Sequence, residues 1–237
     1  MAYPTIYFRD CALEVTPSAN VEDGDYPATN LTDQNPRTVY KPGTTGVTYI
    51  NWSYSSAVKL IGFAVANHTL GTDGVTLTLR YYNGGYLTYK AHTFSSDDDA
   101  VILAAGARTD TEWQILYSGH NADTEVGALT LLGASTNEVA TLDDGWLAWP
   151  IDFTSIHKTA DIQTAGSAIF RQVWQGRQTV IRLIGESLKH GSVGDPGTEI
   201  WGGFNEHGYK AGWVTLDDYD STPGTPAYYG LWDPALR

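Results

Sequence analysis

Nearly every stretch of this sequence that is long enough for three helical turns is interrupted by Gly, Pro or a β-branched cluster. Residues 75–81 instead alternate apolar with polar or charged side chains, which is typical of a strand with one face in water. Comparable short runs predict strands at 47–52, 59–66, 75–81, 100–103, 112–117, 128–132, 146–153, 169–174 and 178–186. Short strands at this spacing indicate an all-β sandwich or barrel.

Residues that favour turns or break strands refine this prediction. Asn83-Gly84-Gly85 lies between two strand-like runs and predicts a tight turn between antiparallel strands. Pro150 predicts that the strand containing it lies at a sheet edge or forms a bulge, because Pro cannot donate a backbone hydrogen bond. Residues 154–168 are the one candidate for irregular or helical structure, and residues 227–232 show neither a strand nor a helix period.

Composition excludes several classes of partner. The 237 residues carry a formal net charge of -13, which repels nucleic acid and anionic membrane surfaces. Cys11 is the only cysteine, so no intrachain disulfide can form, as expected of a chain folded in a reducing cytoplasm. No apolar run approaches the ~18 residues of a membrane span, and we expect neither membrane insertion nor a secretion signal.

Four consecutive segments carry a resemblance to a known family: Tyr26 to Leu31, Asn35 to Lys41, 47–52, and Ile61 to Leu70. Together they resemble the discoidin-like, galactose-binding-type jelly roll of bacteriophage tail and other virion proteins. Asn67-His68-Thr69-Leu70 departs at one position from the family's Asn-His-Asn-Leu, and 169–176 shows a looser likeness further on.

This resemblance implies a virion component that is made in the bacterial host cytoplasm. It implies a protein without cofactor or catalysis that assembles with copies of itself and with other phage tail proteins. We therefore expect a jelly-roll β-sandwich over residues 1–155 and an accessory β-rich segment with an extended aromatic C-terminal tail over residues 156–237.

We expect several residues of these resembling segments to have structural roles. Asn30 can close a turn through its side chain, and Leu31 is expected to plug the bottom of the sandwich. Asn67 and His68 end a buried strand, where their side chains can satisfy backbone groups of the following loop. We favour this structural role over ligand binding.

Catalytic signals are weak along the chain. The six histidines show no spacing that would place two imidazoles on one zinc ion, and Ser187 lacks the context of a nucleophile elbow. A pair of carboxylates about 5 to 9.5 Å apart could still cleave a glycan. The candidate carboxylates are Asp143-Asp144, Asp195 and Asp217-Asp218-Tyr219-Asp220. In so acidic a chain solvated turns are the more common explanation, and we predict no enzyme activity.

Two acidic loops offer oxygen ligands for a structural Ca²⁺ ion: Asp23-Gly24-Asp25 and Asp217-Asp218-Tyr219-Asp220. Neither matches the calcium loop of an EF-hand. No other cofactor or metal is predicted.

Abundant aromatic residues suit either a glycan site or a protein interface. Candidate glycan contacts are Trp52, Tyr54, Tyr81 and Tyr82, each of which could equally belong to a core. The Gly-rich and aromatic later part of the chain is typical of an extension that becomes ordered by covering a neighbour. Its candidate interface residues are Trp201, Phe204, Trp213, Tyr228, Tyr229 and Trp232.

The sequence therefore predicts a non-enzymatic structural protein of a phage virion. We expect a tail location near the distal tip, baseplate or collar, with a homo-oligomeric ring that bridges other tail proteins. The alternative is a carbohydrate-binding module that recognises a host surface glycan.

Overall fold

A computed structural model describes residues 5–33, 35–136, 138–141, 146–152, 169–174, 177–185, 211–215 and 227–232. The chain divides into two compact units, residues 10–134 and residues 1–9 with 135–237. Both units are built from antiparallel strands, which confirms the all-β fold class. The predicted boundary at residue 155 lies outside the described residues.

The first unit contains six strands and three short helices. The strands are β2 (Ser18–Ala19), β3 (Thr48–His68), β4 (Thr76–Tyr82), β5 (Tyr86–Thr93), β6 (Ala100–Ser118) and β7 (Val126–Gly133). The helices are two 3-10 turns, Cys11–Leu13 and Ala28–Thr32, and α1 (Leu70–Asp73). The strand order is β2-β3-β6-β4-β5, and β7 pairs with β3.

Two long strands, β3 and β6, create the sandwich. We predicted strands at 47–52 and 59–66, but β3 runs through both as 21 residues with register shifts on its pairing with β6. Up to Ser53 β3 has β2 and β6 as neighbours, and from Leu60 onward it has β7 and β6. Because bulges bend a strand, β3 passes from one layer into the other. The predicted jelly-roll sandwich is confirmed.

Gly62 lies at one of these register shifts. A Cβ atom on Gly62 would lie 2.0 Å from the backbone oxygen of Ile102 on β6. Only glycine allows the two backbones to approach this closely.

The core lies between the layers and follows strand alternation. Trp52 and Trp113 are both fully buried and are paired in register between β3 and β6. Leu77 and Leu79 on β4 are fully buried, whereas Arg80 and Tyr82 are not. One face of the layer β2-β3-β6-β4-β5 therefore packs on the core, and the other face points away from it.

The predicted hairpin at Asn83-Gly84-Gly85 is confirmed. These residues join β4 to β5, with Tyr82 opposite Tyr86 and the backbone N–H of Asn83 donating to the Gly85 oxygen at 2.9 Å. Gly84 has a φ of 70°, which favours glycine because it has no Cβ.

The second unit contains a seven-stranded sheet of order β8-β1-β12-β13-β10-β11-β9. Its strands are β1 (Thr5–Tyr7), β8 (Val139–Thr141), β9 (Trp146–Asp152), β10 (Ile169–Trp174), β11 (Arg177–Gly185), β12 (Ala211–Thr215) and β13 (Ala227–Trp232). The strand that contains Pro150, β9, ends this order, so the predicted edge position is confirmed.

The end of the chain differs from the sequence prediction. Residues 227–232 show no strand period, yet they form β13, which pairs with β12 and β10. The backbone bonds of a ladder do not require alternating side chains, so two neighbouring strands can recruit such a segment. Residues 154–168, predicted to be irregular or helical, lie outside the described residues.

Across the described ranges, no helix is long and apolar enough to cross a membrane.

Candidate functional site

The outward face of the layer β2-β3-β6-β4-β5 brings together polar side chains from three strands. Asn51 on β3 is opposite Gln114 on β6, and Gln114 is opposite Arg80 on β4. Residues directly opposite one another share a face of the sheet, so these three side chains form a row across it. We call this row the polar ladder.

Hydrogen bonds join the whole polar ladder. Arg80 donates from Nη1 to Oε1 of Gln114 at 2.8 Å, and Gln114 donates from Nε2 to Oδ1 of Asn51 at 2.8 Å. A third bond runs from Nη2 of Arg80 to the backbone oxygen of Tyr86 at 2.7 Å. Gln114 is only 2% exposed, so its amide is held in one orientation by partners on both sides.

Tyrosine rings lie beside the polar ladder. Tyr82 is 43% exposed, and its ring meets the ring of Tyr86 edge-on at a centroid distance of 5.4 Å. The guanidinium of Arg80 lies 5.6 Å from the centre of the Tyr86 ring. Tyr49, two residues before Asn51 on β3, is half-buried on the same face. We call Tyr49, Tyr82 and Tyr86 with the polar ladder the tyrosine face.

The Tyr86 hydroxyl remains protonated at neutral pH. Burial raises its pKa, and the charge of Glu112 and the neighbouring Tyr49 and Tyr82 raise it further, while Arg80 lowers it. A protonated phenol both donates and accepts hydrogen bonds. The tyrosine face therefore offers ring surfaces and phenol groups together with the Asn51 amide and the Arg80 guanidinium, which the buried Gln114 holds in position.

Such a set of groups suits a polyhydroxylated ligand of moderate size. An exposed ring offers an apolar surface that can cover the C–H face of a sugar, and planar polar groups beside it can bind hydroxyls.

The structure places the four candidate glycan contacts in two different environments, the core and the tyrosine face. Trp52 is fully buried, and Tyr54 is 8% exposed with its hydroxyl bonded to the Cys11 oxygen at 2.7 Å, so both belong to the core. Tyr82 lies on the tyrosine face, while the adjacent Tyr81 leaves the opposite face of β4 and packs on the core. Sequence reasoning missed Arg80, Gln114 and Tyr86, although Arg80 has the same strand parity as Tyr82.

Four of the six candidate interface residues belong to strands of the second sheet. Trp213 on β12 is fully buried and pairs in register with Tyr7 and Tyr229. Tyr228, Tyr229 and Trp232 belong to β13. Trp201 and Phe204 lie outside the described residues, and an interface role for this set stays a prediction.

The side chains of Asn30 and Asn67 bond to backbone groups as predicted, but Asn67 bonds to Pro36, before its strand, and not to the loop that follows. Asn30 donates from Nδ2 to the Val39 oxygen at 2.8 Å, and Leu31 is buried. Asn67, with a φ of 50°, donates from Nδ2 to the backbone oxygen of Pro36.

His68 supports the loop that follows its strand. Nδ1 of His68 accepts from the Leu70 N–H at 3.3 Å, which makes Nε2 the donor to the Asp98 oxygen at 2.9 Å. Burial lowers the pKa of His68, which favours this neutral form, although the Asp98 carbonyl and the carboxylates of Asp97 and Asp98 oppose the shift.

Carboxylates in the acidic loops accept hydrogen bonds from nearby backbone N–H and hydroxyl groups. Asp97 accepts from the Thr72 N–H at 2.9 Å and from the Thr72 hydroxyl. Oδ1 of Asp23, in one candidate calcium loop, accepts from the Asp25 N–H at 3.0 Å. The other candidate calcium loop, residues 217–220, and the carboxylates Asp143, Asp144 and Asp195 lie outside the described residues.

No protein-family model matches this sequence, and no curated protein matches it. Solved structures similar to the chain include chitosan-binding module 1 from the chitosanase/glucanase of Paenibacillus sp. IK-5, at 16% identity and a TM-score of 0.43, covering 53% of this chain and 99% of that one. The family 32 carbohydrate-binding module of NanJ from C. perfringens, in complex with galactose, is 18% identical with a TM-score of 0.42, covering 54% and 98%.

A third similar structure is the CBM32 of AlyQ in complex with 4,5-unsaturated mannuronic acid, at 19% identity and a TM-score of 0.41, covering 56% of this chain and 99% of that one. Against SpGH29, at 10% identity and a TM-score of 0.44, the match covers 54% of this chain but only 28% of the other. Likenesses of this strength do not establish what this chain binds.

Proposed function

We propose that residues 10–134 form a carbohydrate-binding domain and that the tyrosine face is its ligand site. The polar ladder carries this proposal. Three side chains from three strands hold one another in fixed positions, directly beside the exposed ring of Tyr82. A fixed row of planar donors and acceptors next to an aromatic ring is the arrangement that sugar binding requires.

The test is binding of the full chain to an array of bacterial and plant polysaccharides, followed by calorimetric titration of the best ligand. Tyr82→Ala is expected to weaken binding about tenfold, since losing a stacking ring and its burial removes on the order of 1.4 kcal/mol. The matched control is Leu87→Ala. Leu87 is 44% exposed on the same hairpin but is opposite Tyr81, on the other side of the sheet.

Thermal unfolding of both variants separates lost binding from lost folding. Equal weakening by Tyr82→Ala and Leu87→Ala, with both variants folded, would exclude the tyrosine face as the site. Binding of no polysaccharide by the parent chain would count against a carbohydrate-binding role altogether.

A tail location in a virion, self-assembly and the absence of catalysis stay predictions from the sequence. Light scattering of the full chain tests self-assembly. Truncating the chain before Ser221 would not test self-assembly alone. It would also remove β13, which has a neighbouring strand on each side.

A further inference from the structure

A second feature of residues 10–134 lies at the bends of the two long strands. Arg108 on β6 is opposite Leu60 on β3, and Lys59 is opposite Thr109. The hydroxyl of Tyr89 donates to the Leu60 oxygen at 3.1 Å and also contacts the Gly106 oxygen. Tyr89 therefore joins the β4–β5 hairpin to both bends. We call Lys90 and Arg108 the basic edge, while Lys59, next to Leu60, points to the opposite face of β3.

Arg108 lies over the ring of Tyr81, which belongs to an aromatic cluster. The carbon of its guanidinium lies 3.3 Å from the centre of the Tyr81 ring. Tyr81 meets Tyr89 edge-on at 6.5 Å, and the buried Trp113 lies 5.5 Å from Tyr89 and 6.5 Å from Tyr81. A cation–π contact of this kind restrains a guanidinium, and N–H groups that point away from the ring can still bind an anion.

One donor of the Arg108 side chain, the buried Nε, is unsatisfied among the described residues. This Nε lies 3.8 Å from Oδ2 of Asp110, which is an ion pair without hydrogen-bond geometry. The side chain is 37% exposed. Burial raises the pKa of the Tyr89 hydroxyl and the charge of Arg108 lowers it, as expected of close neighbours.

Charge is distributed unevenly over these residues. The Lys and Arg residues of 10–134 are Arg37, Lys41, Lys59, Arg80, Lys90 and Arg108. The last four lie on the hairpin or at the strand bends, where Asp110 and Glu112 are the nearby carboxylates. Most other carboxylates lie outside the strands, at Glu22, Asp23, Asp25, Asp33, Asp73, Asp97, Asp98, Asp99, Asp123 and Glu125. An anionic ligand is thus repelled by most of the chain but attracted to the basic edge.

We propose that the basic edge binds the carboxylate of an acidic sugar and that Arg108 makes the contact through its guanidinium edge. A planar guanidinium matches a carboxylate with two parallel hydrogen bonds. The ring of Tyr81, itself in contact with Tyr89, restrains the guanidinium, and Lys90 adds longer-range attraction. This inference rests on the proposed carbohydrate binding for the identity of the ligand, but its site is separate, because Tyr81 and Tyr82 leave opposite faces of β4.

The experiment is calorimetric titration of the full chain with a galacturonic acid tetrasaccharide and with its fully methyl-esterified, uncharged form. We expect the acid to bind at least about tenfold more tightly than the ester. Arg108→Gln should remove this preference, and Arg108→Lys should restore only part of it, since Lys keeps the charge but loses the planar contact. Arg37→Gln, which removes an exposed arginine elsewhere, should leave the preference unchanged.

Several outcomes would overturn the inference. Equal binding of acid and ester, or equal losses in the Arg108→Gln and Arg37→Gln variants, would show that no carboxylate site exists at the basic edge. Competition by inorganic phosphate as strong as that by free galacturonate would indicate a general anion site. If the mass measured by light scattering falls in the Arg108→Gln variant, the basic edge binds the acidic loops of a second copy of the chain and not a sugar.

The two proposals fail in different ways. If neutral glycans bind in a Tyr82-dependent manner and Arg108→Gln changes nothing, the tyrosine face stands and the basic edge is wrong. If the acid binds in an Arg108-dependent manner and Tyr82→Ala changes nothing, the tyrosine face is wrong and the basic edge stands. Circular dichroism of each variant confirms that it is folded, and Arg108→Lys provides a conservative variant if Arg108→Gln does not fold.

Discussion

Arg80 and Gln114 are joined by a 2.8 Å hydrogen bond from Nη1 to Oε1, across the pairing of β4 with β6. The same Gln114 amide donates to Asn51 on β3. One buried side chain thus determines the positions of polar groups on both neighbouring strands, and the tyrosine face depends on it.

Gln114→Ala is expected to destabilise the first unit by about 1–3 kcal/mol, because it removes the bonds of Gln114 to Nη1 of Arg80 and to Oδ1 of Asn51. Urea unfolding measures the change. The control is Thr88→Ala, which alters an exposed residue opposite Arg80 and should change stability by less than about 0.5 kcal/mol. Equal effects from the two variants would contradict a structural role for the polar ladder.

Asp10 is expected to make stability fall as pH rises. Burial raises its pKa to about 7, although the N–H groups of Ala12 and Leu131 and the Thr130 side chain favour the charged form. The folded state therefore keeps a proton that the unfolded state loses above its ordinary pKa of 3.8. The stabilisation is complete below that value and is lost as pH rises toward about 7, with a slope of up to about 1.4 kcal/mol per pH unit.

Asp10→Asn should flatten this dependence. Oδ1 of Asp10 accepts from Ala12 at 2.9 Å and from Leu131 at 3.1 Å, and an asparagine oxygen can accept both bonds without a charge. Denaturant midpoints between pH 4 and pH 8 provide the measurement, with the exposed Asp25→Asn as the control. An unchanged pH profile in Asp10→Asn would show that another group titrates.

Gly62→Ala is expected to destabilise the fold by about 1–3 kcal/mol, because its Cβ would meet the Ile102 oxygen at 2.0 Å and force the paired strands apart. Gly106→Ala is the matched control, since a Cβ there meets nothing within 4 Å. Thermal unfolding should show a lower Tm for Gly62→Ala alone. Similar Tm values for both variants would indicate that β3 and β6 are not this close.

Asp73 connects α1 to the loop before β7. Its Oδ1 accepts from Asn121 Nδ2 and its Oδ2 from the Thr124 hydroxyl, both at 2.6 Å. Asp73→Ala should speed amide hydrogen exchange in residues 121–125 severalfold by removing both bonds. Asp123→Ala, in the same loop and exposed, is expected to change exchange little. Unchanged exchange in Asp73→Ala would show that the loop is held by other contacts.

Local patterns in the sequence determined much of the fold. Alternation at 75–81 predicts β4, Asn83-Gly84-Gly85 predicts its hairpin with β5, and Pro150 predicts the edge position of β9. These features depend on side-chain parity, positive φ and a missing N–H, which are properties of a few consecutive residues.

Tertiary structure decided what those local patterns leave open. It joins the runs 47–52 and 59–66 into β3 through bulges, places Trp52 in the core, and makes 227–232 a strand between two neighbours. It also brings Asn51, Arg80 and Gln114 together from three separate strands. Strand register sets these relationships, and register arises from pairing between distant segments, which no short stretch of sequence encodes.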